Sequence, residues 1–239
     1  VGNVGSNRRT VRLRASGIGT PWYAVTVGED GQAKDLLKFQ PYDLSGVLHV
    51  GVISFDHYAL DPVRQADFSR VLEDWKALDD SERLIPQALR RRRVVVDSFG
   101  LGIPQYAVNF KRDGMTVRDL HRFDFDDLAG RMKSAERYRL DTAQKAAFGS
   151  AVATDDFSLL QATVSGVGLS QRRERVRFNA QEKAVYTVLF ENNGTSVKSL
   201  FRMVYDSALM TGPVRAFDEY KLNASDKAAL ENGDLQVRT

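Results

Sequence analysis

Three short stretches of this chain alternate between apolar and polar positions in the same way. Tyr23-Ala24-Val25-Thr26-Val27, Tyr106-Ala107-Val108-Asn109-Phe110 and Tyr186-Thr187-Val188-Leu189-Phe190 all place a large or branched apolar residue at every second position. A period of two predicts a half-buried strand. Asp30-Gly31, Asp113-Gly114 and Asn193-Gly194 follow these stretches, and such pairs favour positive φ and tight turns. An earlier strand is predicted ahead of each, at Val11-Arg12-Leu13, Val94-Val95-Val96 and Val176-Arg177-Phe178. Gly17, Gly19 and Pro21 link the two strands in the first case, and Gly100, Gly102 and Pro104 do so in the second. The period lengthens downstream. Phe68, Val71, Leu72 and Trp75 have helical spacing, Asp61 is a good N-cap and Pro62 suits the first helical turn, so one helix is expected over 62–78. The stretch from Leu37 to Tyr42 fits either a short helix or a returning strand, with Pro41 against a helix.

The recurrences are in phase. Without a gap, the glycines Gly31, Gly114 and Gly194 lead to Leu37, Leu120 and Leu200, then to Tyr42-Asp43, Phe125-Asp126 and Tyr205-Asp206. A second block repeats as Tyr58-Ala-Leu60-Asp61, Tyr138-Arg-Leu140-Asp141 and Tyr220-Lys-Leu222-Asn223. Both blocks recur at roughly 80 residues, the signature of an internally repeated architecture. The expected fold class is therefore α+β: three tandem repeats, each a small β-sheet with an Asp-Gly or Asn-Gly turn followed by a helix. The boundaries fall at 1–89, 90–171 and 172–239, with the last repeat shorter. The repeated tyrosines read as core positions on strands.

The chain has 239 residues, and 43% apolar with 27% charged content places it among ordinary globular proteins. It contains no cysteine, which removes disulfides, thiolate metal sites and cysteine nucleophiles. No apolar run reaches the ~18 residues of a membrane helix, and the first residues form no signal-peptide core. An intracellular setting is expected, with an organelle reached by loss of a targeting peptide as the variant. The net charge is only +3, but its distribution is informative. Arginines open every repeat: Arg8, Arg9, Arg12 and Arg14, then Arg90, Arg91, Arg92 and Arg93, then Arg172, Arg173, Arg175 and Arg177. Guanidinium forks suit carboxylates and phosphates, so these residues are the expected partner-binding set. Acidic protein subunits of a larger complex are the favoured partners, and nucleic acid is the alternative.

Catalytic signatures are missing. His49, His57 and His121 have no metal-ligand spacing, and no phosphate-binding loop or nucleophile elbow occurs. No catalytic residue, metal ligand or cofactor is assigned. The positions that recur are apolar, turn and cap positions, which suits repeated surfaces rather than one site of unlike groups. The run Leu36-Leu37-Lys38-Phe39-Gln40-Pro41-Tyr42-Asp43-Leu44 is similar to a stretch in the small C-terminal domain of phycobilisome linker proteins. That resemblance implies a basic chain threading through acidic protein discs. A virion component fits the same features. The expected function is a non-catalytic linker or scaffold.

Overall fold

The computed structural model of the chain describes residues 9–12, 22–28, 30–44, 47–96, 103–126, 130–205 and 214–232. Its strands are β1 (Arg9–Arg12), β2 (Tyr23–Val27), β3 (Ala33–Leu44), β4 (Val47–Ala59), β5 (Arg90–Val96), β6 (Pro104–Phe110), β7 (Val117–Phe125), β8 (Met132–Arg139), β9 (Arg172–Phe178), β10 (Ala184–Phe190), β11 (Val197–Tyr205) and β12 (Val214–Tyr220). Among the described residues they follow chain order in a 12-stranded sheet. Helices α1 (Pro62–Arg70) and α2 (Trp75–Arg83) separate β4 from β5, and α3 (Thr142–Ala153) and α4 (Phe157–Ser165) separate β8 from β9. Helix α5 (Ala224–Asn232) follows β12. Short 3-10 turns, Gln87–Leu89 and Leu169–Gln171, lead into β5 and β9.

This architecture corrects the α+β expectation of three strand-and-helix units, each with its own small sheet. The chain is mostly one antiparallel sheet with a few short helices. Alternation identifies a strand but not its neighbour. Here the helix pair after β4 carries the chain back, so β5 lies antiparallel against β4, with Asp56 opposite Arg93. The pair after β8 does the same for β9, with Glu136 opposite Arg175. The sheet therefore runs through the places where the sequence repeats. Strands β5 and β9 begin at Arg90 and Arg172, where the sequence opens its second and third repeats. The chain divides into two compact units, Val1–Arg118 and Asp119–Thr239.

Three local readings also change. The ambiguous stretch from Leu37 to Tyr42 is part of β3, and the pairing with β4 is irregular on both sides of Pro41, where a residue without an N–H is tolerated. The single helix expected over 62–78 is two, because the Asp74 carboxylate accepts from the N–H groups of Lys76 and Ala77 and starts a new helix. The ungapped alignment slips by one residue in β3. Leu36, not Leu37, pairs with Tyr58, as Leu120 pairs with Tyr138 and Leu200 with Tyr220. The first turn is one residue shorter: Gly28 N–H reaches Gln32 O, whereas Lys111 reaches Thr116 and Glu191 reaches Ser196. The first glycine-rich link lies outside the described residues, as do Gly100 and Gly102 of the second.

In the first unit the core collects on one face of β2–β4, where Tyr23, Val25, Leu36 and Tyr58 pack with Phe68 of α1 and Leu78 of α2. In the second, Leu120, Tyr138, Phe148 and Leu160 are buried, and Val188, Phe190, Val197 and Leu200 form a cluster with Leu230 of α5. Asp61 and Asp141 cap α1 and α3 by accepting from Arg64 N–H and Gln144 N–H.

The repeated tyrosines differ in how their hydroxyls are satisfied. Tyr23 donates to the Asp79 carboxylate of α2 at 3.2 Å. The Tyr106 hydroxyl is buried without a hydrogen-bond partner among the described residues, and burial pushes its pKa up. An unsatisfied buried hydroxyl is a net cost. Tyr106→Phe is therefore expected to stabilise the protein by about 1 kcal/mol. The check is a higher urea midpoint at unchanged slope; a lower midpoint would show that the hydroxyl is bonded.

Candidate functional site

The expected site residues are arginines on the first strand of each repeat, and local structure decides what each can reach. In β5, Arg93 sits opposite Asp56 of β4, and both side chains are buried. Its Nε and Nη2 donate to the two carboxylate oxygens, each at 2.7 Å, a bidentate fork. The register shifts between His57 and Tyr58, and this turns Arg90 to the same carboxylate, with Nη1 3.6 Å from Oδ2. Arg90 Nε donates to Gly114 O at 3.0 Å, and its guanidinium lies 4.3 Å from the Phe110 ring centroid. One carboxylate, two arginines, a ring and a turn carbonyl are thus gathered in one place.

The second unit repeats the arrangement. Glu136 of β8 accepts from Arg172 Nη1 at 3.0 Å and Arg175 Nε at 2.7 Å. Arg172 Nε donates to Gly194 O at 3.0 Å and its guanidinium stacks 3.8 Å from the Phe190 centroid. The Tyr138 hydroxyl also donates to Glu136. Burial alone would raise the Glu136 pKa, but the Tyr138 hydroxyl and the two guanidinium groups outweigh it and hold the carboxyl below its ordinary range. Burial, then the neighbouring Glu136, pushes the Tyr138 phenol up to about 12, so it stays a donor.

The turn glycines belong to the same joints. Gly114 and Gly194 have φ of +67° and +70°. A Cβ on Gly114 would stand 1.8 Å from Gln87 O, and one on Gly194 2.0 Å from Leu169 O. Each turn is thus seated directly on the 3-10 turn that leads into its repeat. Gly31 shares the positive φ, yet nothing lies within 4 Å of the corresponding position. A second cation serves the helices. Arg122 Nη2 donates to Val164 O and Val167 O at the end of α4, and its guanidinium lies over the Tyr138 ring. Lys38, at the same register position in β3, pairs with Glu82 of α2.

Arg90, Arg93 and Arg172 are therefore buried and engaged within the chain, and Arg175 is half-buried on Glu136. Arg91 and Arg173 are half-buried, and each donates to a carbonyl of the 3-10 turn before it, Ala88 O and Ser170 O. Arg92 is exposed and Arg177 half-buried. Arg9 and Arg12 lie in β1, opposite Thr26 and Tyr23. Arg8 and Arg14 lie outside the described residues. The carboxylates are what the sequence reading missed. Asp56, Glu136 and Asp218 all stand two residues before the repeated tyrosine, in phase with the arginines, and that was the available signal.

Among the described residues, no group of three His, Asp or Glu side chains is placed to hold a metal ion, and no helix is long and apolar enough to cross a membrane. The chain matches no family model and no curated protein. Among solved structures it is similar to the Tc holotoxin pore of Photorhabdus luminescens, with 10% identity over 88% of this chain and a TM-score of 0.23. The chain spans only 10% of that toxin chain. It is also similar to a porin-like protein from Bacteroides uniformis, with 10% identity, 83% of this chain and 86% of that one covered, and a TM-score of 0.15. Likeness at this level bears on neither fold nor function.

Proposed function

We propose that the protein is a non-catalytic scaffold that organises subunits of a larger assembly by docking on acidic partner proteins. The observation that carries this reading is the repetition of one joint. The same carboxylate, paired arginines, ring and glycine turn recur where β4 meets β5 and where β8 meets β9. A chain built by repeating one structural unit offers equivalent surfaces at intervals, and several modest contacts then add as avidity. With Arg90, Arg93, Arg172 and Arg175 used internally, docking falls to the remaining arginines. Arg92 is exposed and Arg177 half-buried, and neither donates to a 3-10 turn carbonyl as Arg91 and Arg173 do; Arg9 and Arg12 belong to the set by sequence. Internal pairing of the others also weakens the nucleic-acid reading, which needs guanidinium groups free to neutralise phosphates.

The test is a native pull-down from the source extract, with nuclease added to one half. The scaffold reading expects the same acidic proteins in both halves, and their loss from a variant carrying Arg92→Glu and Arg177→Glu that keeps its far-UV circular dichroism. Equal recovery by that variant, or recovery that depends on nucleic acid, would remove the reading.

A further inference from the structure

The two internal joints define what belongs against the outer edge of the last strand. On β4 and β8, the residues ahead of the repeated tyrosine are Phe55-Asp56-His57 and Ala135-Glu136-Arg137, and the next strand covers them. On β12 the same positions are Phe217-Asp218-Glu219. All of β12 is exposed, with Phe217 63% accessible, and the strand stands last in the sheet. Two features of this edge lack what their counterparts have. Phe55 and its β3 neighbour Phe39, with ring centroids 5.8 Å apart, stand in line with Val94 of β5. Phe123 and Ala135 line up in the same way with Val176 of β9. Met203 and Phe217 stop at β12. Likewise Arg137 is ion-paired across the joint to Glu174 at 2.8 Å, whereas among the described residues no strand lies beyond Glu219 in the sheet.

We infer that the outer edge of β12 takes β1 of a second copy of this chain, in a head-to-tail antiparallel pairing. Strand β1 is the structural counterpart of β5 and β9, because Thr10, Arg93 and Arg175 stand opposite Val25, Val108 and Val188. It is also the first strand of the sheet, with β2 its neighbour. Transferring the observed register sets Glu219 opposite Arg9, Phe217 opposite Val11 and Asp218 opposite Thr10. Each of these three positions then finds a suitable partner. Glu219 with Arg9 reproduces the Arg137–Glu174 ion pair with its signs exchanged, and Val11 occupies the place of Val94 and Val176. Thr10 replaces the arginine that grips Asp56 and Glu136, so this joint lacks the buried fork and is reversible where the internal ones are permanent. Backbone pairing along an open edge supplies affinity, and cross-strand charge sets partner and register. The contact is heterologous, so one copy can recruit the next.

The purified chain alone tests this, without any acidic partner, so its outcome is separable from that of the pull-down. Sedimentation equilibrium is expected to show a weight-average mass that rises with concentration. Glu219→Arg or Arg9→Glu, each placing like charges in opposition, should weaken association by about tenfold or more. A mixture of the two variants should restore it, because both resulting edges then carry opposite charges. The absence of natural cysteine allows a second measurement. Phe217→Cys and Val11→Cys in separate chains should form a disulfide-linked heterodimer when mixed and oxidised. A constant monomer mass, association indifferent to Glu219→Arg, or a chain bearing both cysteines that cross-links only within itself would each overturn the proposal. The last result would mean that the two edges close on each other in one copy.

Discussion

Asp56→Ala is expected to destabilise the first unit by about 3–5 kcal/mol, among the largest effects of any single substitution outside the hydrophobic core. The carboxylate holds the Arg93 fork at 2.7 Å on both sides and stands 3.6 Å from Arg90, and all three side chains are buried. Removing it takes from two buried guanidinium groups the carboxylate that they share. Arg90 keeps its bond to Gly114 O and its place beside the Phe110 ring, whereas Arg93 loses its whole fork. The measurement is equilibrium urea unfolding. A companion variant separates charge from packing: Asp56→Leu with Arg93→Met and Arg90→Met should recover most of the loss, because a buried ion pair contributes little more than an apolar group of equal volume. A loss under about 1 kcal/mol for Asp56→Ala would mean that water reaches the joint and replaces the carboxylate.

Gly114→Ala should cost about 3 kcal/mol or more, and Gly31→Ala only about 1–2 kcal/mol. Both residues have φ near +70°, so both substitutions carry the penalty of a side chain in the left-handed region. Only at Gly114 does the new methyl meet backbone, at 1.8 Å from Gln87 O, where no flexible side chain can yield. The turn must then lift off the 3-10 turn and take the Gly114 carbonyl away from Arg90 Nε. Gly194→Ala should behave like Gly114→Ala, since its methyl would meet Leu169 O and Ser170. Thermal unfolding of the three variants in parallel checks the contrast. Equal midpoints for Gly31→Ala and Gly114→Ala would show that the penalty is conformational alone and that the seating of the turn contributes nothing.

The elements that were legible in the sequence are those fixed by neighbours close in the chain. Period-two alternation marks β2, β6 and β10, the Asp-Gly and Asn-Gly pairs mark their turns, and Asp61 and Asp141 announce their helices, because each signal acts within a few residues. What alternation could not supply was partnership across the helix pairs. Nothing local in Arg90-Arg91-Arg92-Arg93 says that β4 lies alongside, and a run of four arginines reads as a solvated surface. Tertiary context divides that run: Arg93 stands opposite Asp56, the irregular register near Tyr58 brings Arg90 to the same carboxylate, and Arg92 stays exposed. The one-residue slip at Leu36 has a similar origin. Counting from Gly31 preserves sequence offsets, whereas the shorter first turn shifts the strand, and only pairing with Tyr58 reveals it. The candidate site was therefore half visible, its cations present by pattern and its carboxylates overlooked because each comes as a single residue.

Strand order that repeats chain order also constrains how the protein is made. Each new strand pairs with the one synthesised just before it, and the longest excursions are the helix pairs between β4 and β5 and between β8 and β9. Loop-closure entropy is small when partners are near in sequence, so a sheet of this kind has low contact order for an all-antiparallel design. Assembly can then proceed by accretion while the chain is still leaving the ribosome. In that sequence β5 and β9 each arrive at an edge already bearing a carboxylate in wait. Until the arginines arrive, Asp56 and Glu136 remain hydrated on an open strand, and the joint locks only when the following repeat has emerged.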